Sequence, residues 1–139
     1  MIVVDTNVLA YLFIAGERSD ICEQVLRKDA EWVAPALWRS EFRNVLSLYL
    51  QKGYLNIEKA IKIADAAMAM MEHNEYEVAS AQVLTLAAQH GCSAYDAEFV
   101  VLAKHLDVSL VTVDKQLLKK FPGVALSPDE FLNPQNRNG

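Results

Sequence analysis

The feature that most constrains the fold is the alternation of short apolar stretches with longer helical segments. The first stretch, Ile2-Val3-Val4, has the β-branched composition of a buried strand, and the acid Asp5 follows it directly. Three more short strands are predicted at residues 31–34, 109–113 and 124–126. The polar stretch 73–78 is compatible with a brief fifth strand or with a loop.

The segments between these stretches have helical periodicity and carry residues typical of helix ends. Helices are predicted at residues 8–14, 21–28, 36–51, 57–71, 79–89, 93–105 and 115–120. Pro35 is assigned to the first turn of the third helix, and Asn56 to the cap of the fourth. Strands that alternate with helices favour a parallel sheet covered on both faces through right-handed crossovers. We therefore expect one α/β domain over residues 1–132 and a polar tail over 133–139.

Composition limits the class of protein. A chain of 139 residues with 53% hydrophobic content can bury a core without metals or disulfides. The net charge of −5 argues against binding nucleic acid through phosphate attraction alone, although metal ions held by several acids would remove much of this excess. Cys22 and Cys92 lack zinc-site spacing. With no signal peptide and no apolar run of 18 residues, a soluble cytoplasmic protein is expected.

Three acids occupy positions with two possible explanations. Asp5 and Asp114 each follow a predicted strand, where open α/β sheets bind ligands, but each can equally cap the helix that comes next. Asp96 lies three residues after Ser93, which is the spacing of a capping box with Asp in place of Glu or Gln. Phe99 and Val100 follow Asp96 at helical offsets, so Asp96 also heads a face that turns toward the sheet.

Glu41 is the acid that capping cannot explain. On a helical projection it lies within an apolar stripe formed by Trp38, Phe42, Val45 and either Leu48 or Tyr49. An ionised carboxylate there needs a cation, a hydrogen-bond network or a raised pKa. Arg39 and Arg43 are each two residues away on other faces, which makes a local ion pair geometrically poor.

Two acids at inward-facing helix positions and two at strand ends can point into one pocket. Such like charges repel one another, and a divalent cation explains the cluster best. Oxygen ligands favour Mg²⁺ or Mn²⁺ over zinc, and such a site suits the hydrolysis of phosphodiester bonds. Thr6, Asn7 and Thr112 are candidates for orienting ligands or phosphate, although ordinary turn and strand hydroxyls explain them equally well.

Four segments in this order resemble the acidic motifs of the PIN-domain nucleases, with the VapC-type toxins as the nearest subgroup. They are residues 2–7, Ser40-Glu41, residues 93–97 and residues 110–114, and they extend over nearly the whole chain. The resemblance implies a three-layer α/β/α fold with a short central parallel sheet of four to five strands. It also implies an endoribonuclease that acts on tRNA, rRNA or mRNA, with a cognate antitoxin and a homodimeric assembly.

By the same resemblance, Asp5, Glu41, Asp96 and Asp114 are the catalytic residues that bind Mg²⁺ or Mn²⁺, with Thr112 supporting them. The last acid is the least uniform position of the family. Basic residues near the motifs could guide an RNA backbone: Lys104, Lys115, Lys119 and Lys120 near the last two motifs, and Arg39 and Arg43 beside Glu41. Of these, Arg39, Arg43, Lys115 and Lys119 are the candidate backbone contacts. A solvated helix face explains each of the six at least as well.

Several other residues have ordinary explanations. Glu98 projects to the far side of its helix from Asp96 and is expected to be solvated. His73, His90 and His105 share no motif spacing and are expected at the surface or at helix ends. The apolar helix pair over residues 36–71 is the expected surface for a dimer or an antitoxin.

Two other functions remain open at this point. Phosphatase-type phosphotransfer domains place a nucleophilic aspartate after the first strand, but they generally have a second acid two residues later, where this chain has Asn7. A non-catalytic module that binds RNA or protein would keep the fold and use its acids only as helix caps.

Overall fold

The computed structural model describes residues 1–135, and its centre is a five-stranded sheet in which all neighbouring strands are parallel. The strands are β1 (Ile2–Val4), β2 (Trp32–Pro35), β3 (Glu75–Tyr76), β4 (Leu110–Val111) and β5 (Ala125–Leu126). They lie in the order β3-β2-β1-β4-β5. The predicted parallel sheet of four to five strands is therefore confirmed, and the ambiguous stretch 73–78 does contain a strand.

The helices form the layers on either side of this sheet. They are α1 (Thr6–Phe13), α2 (Ser19–Lys28), α3 (Trp38–Gln51), α4 (Ile57–Met71), α5 (Ser80–His90), α6 (Ala94–Leu106), α7 (Lys115–Lys120) and α8 (Pro128–Leu132). Helices α1 to α4 pack on one another, with α8 against α2, while α5 and α6 pack as a separate pair in which α6 contacts β1, β2 and β4. This is the predicted three-layer α/β/α architecture.

The strand order places a switch point beside β1. From β1 the chain moves outward to β2 and β3, then returns to add β4 on the other side of β1. The backbone N–H of Asp5 donates to Val111 O at 3.0 Å, so the ends of β1 and β4 are joined here. In open α/β sheets the crevice outside the strand ends at such a point is the usual ligand site.

The core explains why these short strands are stable. All three residues of β1 are buried, and Trp32, Trp38 and Phe42 are fully buried beside them. The rings of Trp38 and Phe42 meet edge to face at a centroid distance of 5.6 Å, a favourable geometry for aromatic pairs. The first strand is thus held on both faces, and the acid that follows it has little freedom to move.

Two local predictions need correction. Pro35 is the last residue of β2, beside Tyr76, and α3 begins only at Trp38, so Pro35 is not in a first helical turn. Proline is tolerated there because Ala36, the next residue, supplies the N–H that bonds Tyr76 O at 3.1 Å. Helix α8 was not predicted, although Ser127 forms a capping box with Glu130.

The predicted domain limit at residue 132 coincides with the end of α8. Residues 136–139 of the predicted tail lie outside the described residues, so the division between domain and tail stays a prediction. Among residues 1–135, none of the helices combines the length and hydrophobicity that a membrane span requires.

Candidate active site at the carboxyl edge of the sheet

Asp5 lies at the centre of the switch point and is only 9% exposed. Its Oδ1 accepts the backbone N–H of Thr6 at 2.8 Å, and its Oδ2 accepts the hydroxyl of Thr112 at 2.7 Å. Burial raises the pKa of Asp5 most strongly, the two hydrogen bonds lower it, and the charges of Asp96 and Asp114 raise it again. Asp5 therefore caps α1 as expected, but its second oxygen has a different partner.

Thr112 connects two of the acids. It is fully buried just after β4, and its hydroxyl oxygen donates to Asp5 while accepting the backbone N–H of Asp114 at 3.0 Å. A hydroxyl can do both because it has one hydrogen and two lone pairs. The sequence left two explanations for Thr112, a residue that orients a ligand or an ordinary strand hydroxyl. The structure supports the first, because the hydroxyl of Thr112 holds the carboxylate of Asp5 by a hydrogen bond.

Glu41 is half-buried in the first turn of α3, and its Oε1 accepts the hydroxyl of Thr6 at 2.7 Å. Burial is the main cause of its raised pKa; the Thr6 hydrogen bond lowers the pKa, while the charges of Asp5, Asp96 and Glu98 raise it. Among the described residues, none of the ion pairs includes Glu41. The inward placement predicted from the sequence is confirmed, and Tyr49 rather than the exposed Leu48 continues the packed face.

Asp96 lies in the first turn of α6, where Ser93 Oγ accepts its backbone N–H at 3.0 Å. The expected cap is thus made by Ser93, and the carboxylate of Asp96 remains for other contacts. Burial and the charge of Asp114 raise the pKa of Asp96, while a hydrogen bond from Ser93 and the charge of Lys120 lower it. Asp96 and Asp114 therefore lie near each other.

Asp114 is the N-cap of α7. Its Oδ1 accepts the backbone N–H groups of Gln116 at 2.8 Å and Leu117 at 3.1 Å, as the capping explanation predicts. Because both bonds use Oδ1, its Oδ2 has no hydrogen bond among the described residues, and the charge of Asp114 acts on Asp5 and Asp96. Capping and a role in the site are therefore compatible for this residue.

The structure brings all four acids into electrostatic contact. Asp5 is affected by Asp96 and Asp114, and Glu41 by Asp5 and Asp96. Carboxylates supported by threonine hydroxyls form a hard oxygen donor set, which fits Mg²⁺ or Mn²⁺ better than zinc. Within residues 1–135, no three His, Cys, Asp or Glu side chains stand close enough to enclose a metal ion without moving, so binding would require the carboxylates to draw together.

Two further charged residues act on the four acids: Glu98, which was expected to be solvated, and Lys120, one of the basic residues near the last two motifs. The prediction that Glu98 is solvated on the far side of α6 is wrong, since Glu98 is half-buried and its charge raises the pKa of Glu41. Lys120 is half-buried, and its charge lowers the pKa of Asp96. A helical projection gives the direction of the Cβ atom, but it does not locate the end of a long side chain.

The remaining candidates lie around this centre. Asn7 is exposed in the first turn of α1, and Arg43, Lys115 and Lys119 are exposed on their helices. The prediction that Arg39 contacts the RNA backbone needs correction, because Arg39 is not a free cation. It forms an ion pair with Glu75, with an Nε to Oε2 distance of 2.6 Å. All three histidines are exposed, as predicted: His73, His90 and His105.

Comparison with known proteins gives a family and a fold. The family model for the PIN domain matches residues 2–123. Ribonuclease VapC3 from Pyrobaculum aerophilum is 31% identical over 127 residues, which cover 88% of this chain and 96% of that protein.

Two solved structures have the same fold. The crystal structure of PAE2754 from Pyrobaculum aerophilum matches with a TM-score of 0.76 at 20% identity, over 97% of this chain and 96% of that one. A toxin–antitoxin complex from Klebsiella pneumoniae contains a chain that matches with a TM-score of 0.65 at 19% identity, over 92% of this chain and 98% of that one.

Proposed function

Because this chain belongs to the PIN-domain family, we propose that it is a divalent-metal-dependent endoribonuclease of the VapC toxin type. The observation that carries the proposal is the hydrogen-bond network that connects Asp5, Glu41 and Asp114 through Thr6 and Thr112 at the switch point of the sheet, where the charge of Asp96 also acts on Asp5. Four distant parts of the chain supply these acids, and two buried threonine hydroxyls are directed at them. The relative named a ribonuclease supports RNA as the substrate, with tRNA, rRNA or mRNA as the candidates.

Each residue has a distinct role in this proposal. Asp5, Glu41, Asp96 and Asp114 would hold Mg²⁺ or Mn²⁺, which supplies charge neutralisation at phosphate and activation of water. Thr112 fixes the orientation of Asp5, and Thr6 does the same for Glu41. These hydroxyls keep the carboxylates in place before metal and substrate arrive.

The rim of the site would bind the RNA backbone. Asn7 is exposed next to Thr6, where its amide can donate to a phosphate oxygen. Exposed Arg43, Lys115 and Lys119 remain candidates for phosphate contacts. We leave Arg39 out of this set because Glu75 already neutralises it.

A cytoplasmic location, a cognate antitoxin and a homodimer complete the proposal. The segment 48–61, at the end of α3 and the start of α4, exposes four large apolar side chains: Leu48, Tyr54, Ile57 and Ile61. Exposed apolar groups of this kind are typical of protein interaction surfaces. The toxin–antitoxin complex with a similar fold supports an antitoxin as one partner.

The test compares two substitutions on the same helix. Asp96→Asn removes a proposed metal ligand from the start of α6, while Asp107→Asn changes an exposed acid at its end, in a left-handed conformation that Asn tolerates. We expect the wild type and Asp107→Asn to cleave RNA with Mn²⁺ or Mg²⁺ and not with EDTA. Asp96→Asn should stay folded, by circular dichroism, and lose cleavage.

The non-catalytic alternative makes the opposite prediction. If the wild type binds RNA but shows no metal-dependent cleavage, or if Asp96→Asn remains active, the nuclease proposal fails. The phosphatase alternative is not favoured, because the position that would carry its second acid is Asn7 and the chain belongs to the PIN-domain family.

A further inference from the structure

Lys120 is the basic residue whose charge acts on the acidic site. It is half-buried at the end of α7, whereas Lys115 and Lys119 on the same helix are exposed. Its Nζ donates to the backbone oxygen of Gly91, the residue that ends α5, at 2.9 Å. Gly91 is two residues before Ser93, the N-cap of α6, so this bond brings the ammonium group to the start of α6, where its charge also lowers the pKa of Asp96.

The position of this ammonium group is fixed from both ends of α7. At the start, Asp114 caps the helix. At the end, the buried ring of Phe121 packs against His90 at a centroid distance of 4.7 Å, next to the hydrogen bond between Lys120 and Gly91. The hydrogen bond to Gly91 therefore holds the ammonium group near the start of α6 before any ligand arrives, which lowers the entropic cost of binding.

The charge of Lys120 is not neutralised by an ion pair within residues 1–135. A lysine ammonium has three N–H donors, and the Gly91 carbonyl accepts one of them. A positive charge that acts on Asp96 opposes a divalent cation there and attracts an anion. The anion that the proposed nuclease brings to this place is the phosphodiester of its RNA substrate.

We propose that Lys120 is a substrate-binding residue that donates to a phosphate oxygen of RNA beside Asp96 and Asp114. The proposal rests on the proposed nuclease function and adds a phosphate contact to it. Removal of the Lys120 charge should weaken RNA binding and tighten metal binding, because this charge attracts the phosphate of RNA and repels the metal ion.

The experiment compares Lys120→Met with Lys62→Met, which removes the same charge from an exposed position on α4 that has no proposed RNA contact. RNA binding is measured by fluorescence anisotropy with a labelled single-stranded RNA of randomised sequence in EDTA, and Mn²⁺ binding by calorimetry. Lys120→Met should weaken RNA binding roughly threefold to tenfold and lower the salt slope by about 0.7. It should also tighten Mn²⁺ binding, by about twofold or more.

Lys62→Met should change each affinity less than about twofold. Lys120→Arg should keep most of the RNA affinity, since it keeps the charge. The Lys120 proposal is overturned, with the nuclease intact, if the wild type binds Mn²⁺ and cleaves RNA while Lys120→Met binds RNA as tightly as Lys62→Met. If the wild type neither binds Mn²⁺ nor cleaves RNA, the nuclease proposal fails, and the Lys120 proposal with it.

Cys92 gives an independent check on where the Lys120 charge lies. Burial and Asp96 raise the pKa of this partly exposed thiol, while Lys120 lowers it. Cys22 is fully buried with a pKa of about 11, so iodoacetamide should react mainly with Cys92. Lys120→Met should slow alkylation of Cys92 at fixed pH, and Lys62→Met should not. An unchanged rate in Lys120→Met would overturn the proposed position of the charge.

Discussion

The two halves of the acidic site hold their carboxylates in different ways. The inner pair, Asp5 and Glu41, receives threonine hydroxyls from Thr6 and Thr112, across 35 and 107 residues of sequence. The outer pair, Asp96 and Asp114, lies at the starts of α6 and α7, where the local backbone is capped by Ser93 and by Asp114 itself. Tertiary contacts therefore hold the inner pair, and local structure holds the outer pair.

This difference has an energetic consequence. Burial is the first cause of the raised pKa of both inner acids and also of Asp96, so the ionised forms of these three acids oppose folding when no cation is bound. Asp114, in contrast, stabilises α7 as its cap. We therefore expect substitutions in the inner pair to separate function from stability, and the substitution of Asp114 to affect both.

The largest effect is expected from Asp5→Asn, which removes the central inner charge. A metal ion contributes several kcal/mol to stabilising the transition state, so the loss of one of its ligands should lower RNA cleavage about a thousandfold or more. The fold should persist, because the amide oxygen of Asn can still accept the Thr6 N–H. Cleavage and thermal melting are measured beside Asp20→Asn, an exposed control on α2. If Asp5→Asn still cleaves RNA, the inner pair is not central to catalysis.

Thr112→Val is the next largest change and tests whether the inner pair depends on a distant hydroxyl. Both hydrogen bonds of the buried hydroxyl disappear, so the Asp5 carboxylate loses a donor and the Asp114 N–H loses an acceptor. We expect a loss of about 1–3 kcal/mol in the free energy of unfolding, measured with urea. Thr112→Ser keeps the hydroxyl and serves as the control. If Thr112→Val and Thr112→Ser have the same free energy of unfolding, the distant hydroxyl does not hold the inner pair, and the proposed difference between the two pairs is contradicted.

Most of the fold could be predicted from the sequence, because the residues that mark its strands and helix ends lie within those elements or beside them. Strands β1 and β4 are marked by β-branched or apolar stretches, and Ser93 and Asp114 cap their helices where the sequence predicted. Glu41 was predicted to face inward because an acid within an apolar stripe has few explanations. In each case the deciding interaction lies within a few residues along the chain.

The errors concern contacts between distant segments. Pro35 belongs to a strand because β3 pairs with it, and Arg39 is neutralised by Glu75, 36 residues later. Glu98 acts on Glu41, a residue of a different helix. Helix α8 is different, because its capping box is a local signal that the sequence contains.

A smaller effect is expected in the outer pair from Asp114→Ala compared with Asp114→Asn. Alanine removes the acceptor for two N–H groups of α7, which should lower the free energy of unfolding by about 1 kcal/mol, whereas Asn retains the cap. Both variants should lose RNA cleavage if Asp114 also binds metal. Urea unfolding and cleavage assays therefore measure the two roles separately. If Asp114→Asn cleaves RNA normally, Asp114 is a cap alone.

The smallest effect is expected from Glu41→Gln in the metal-free protein, and its sign is the informative part. Because the pKa of Glu41 is raised above its ordinary value of 4.5, the wild type is favoured when Glu41 is protonated and loses stability as the pH rises through the folded-state pKa. Glutamine removes this loss and can still accept the Thr6 hydroxyl.

Calorimetry at neutral pH should therefore show Glu41→Gln melting about 2 °C above the wild type, with the difference vanishing toward pH 4.5. Glu17→Gln, at an exposed loop position, should show no such rise. Added Mn²⁺ should reverse the order, because it stabilises the wild type by binding a carboxylate that the variant lacks. A melting temperature of Glu41→Gln at or below that of the wild type in EDTA would mean that the hydroxyl of Thr6 already offsets the burial of the charge. The inner pair would then stabilise the fold as the outer pair does.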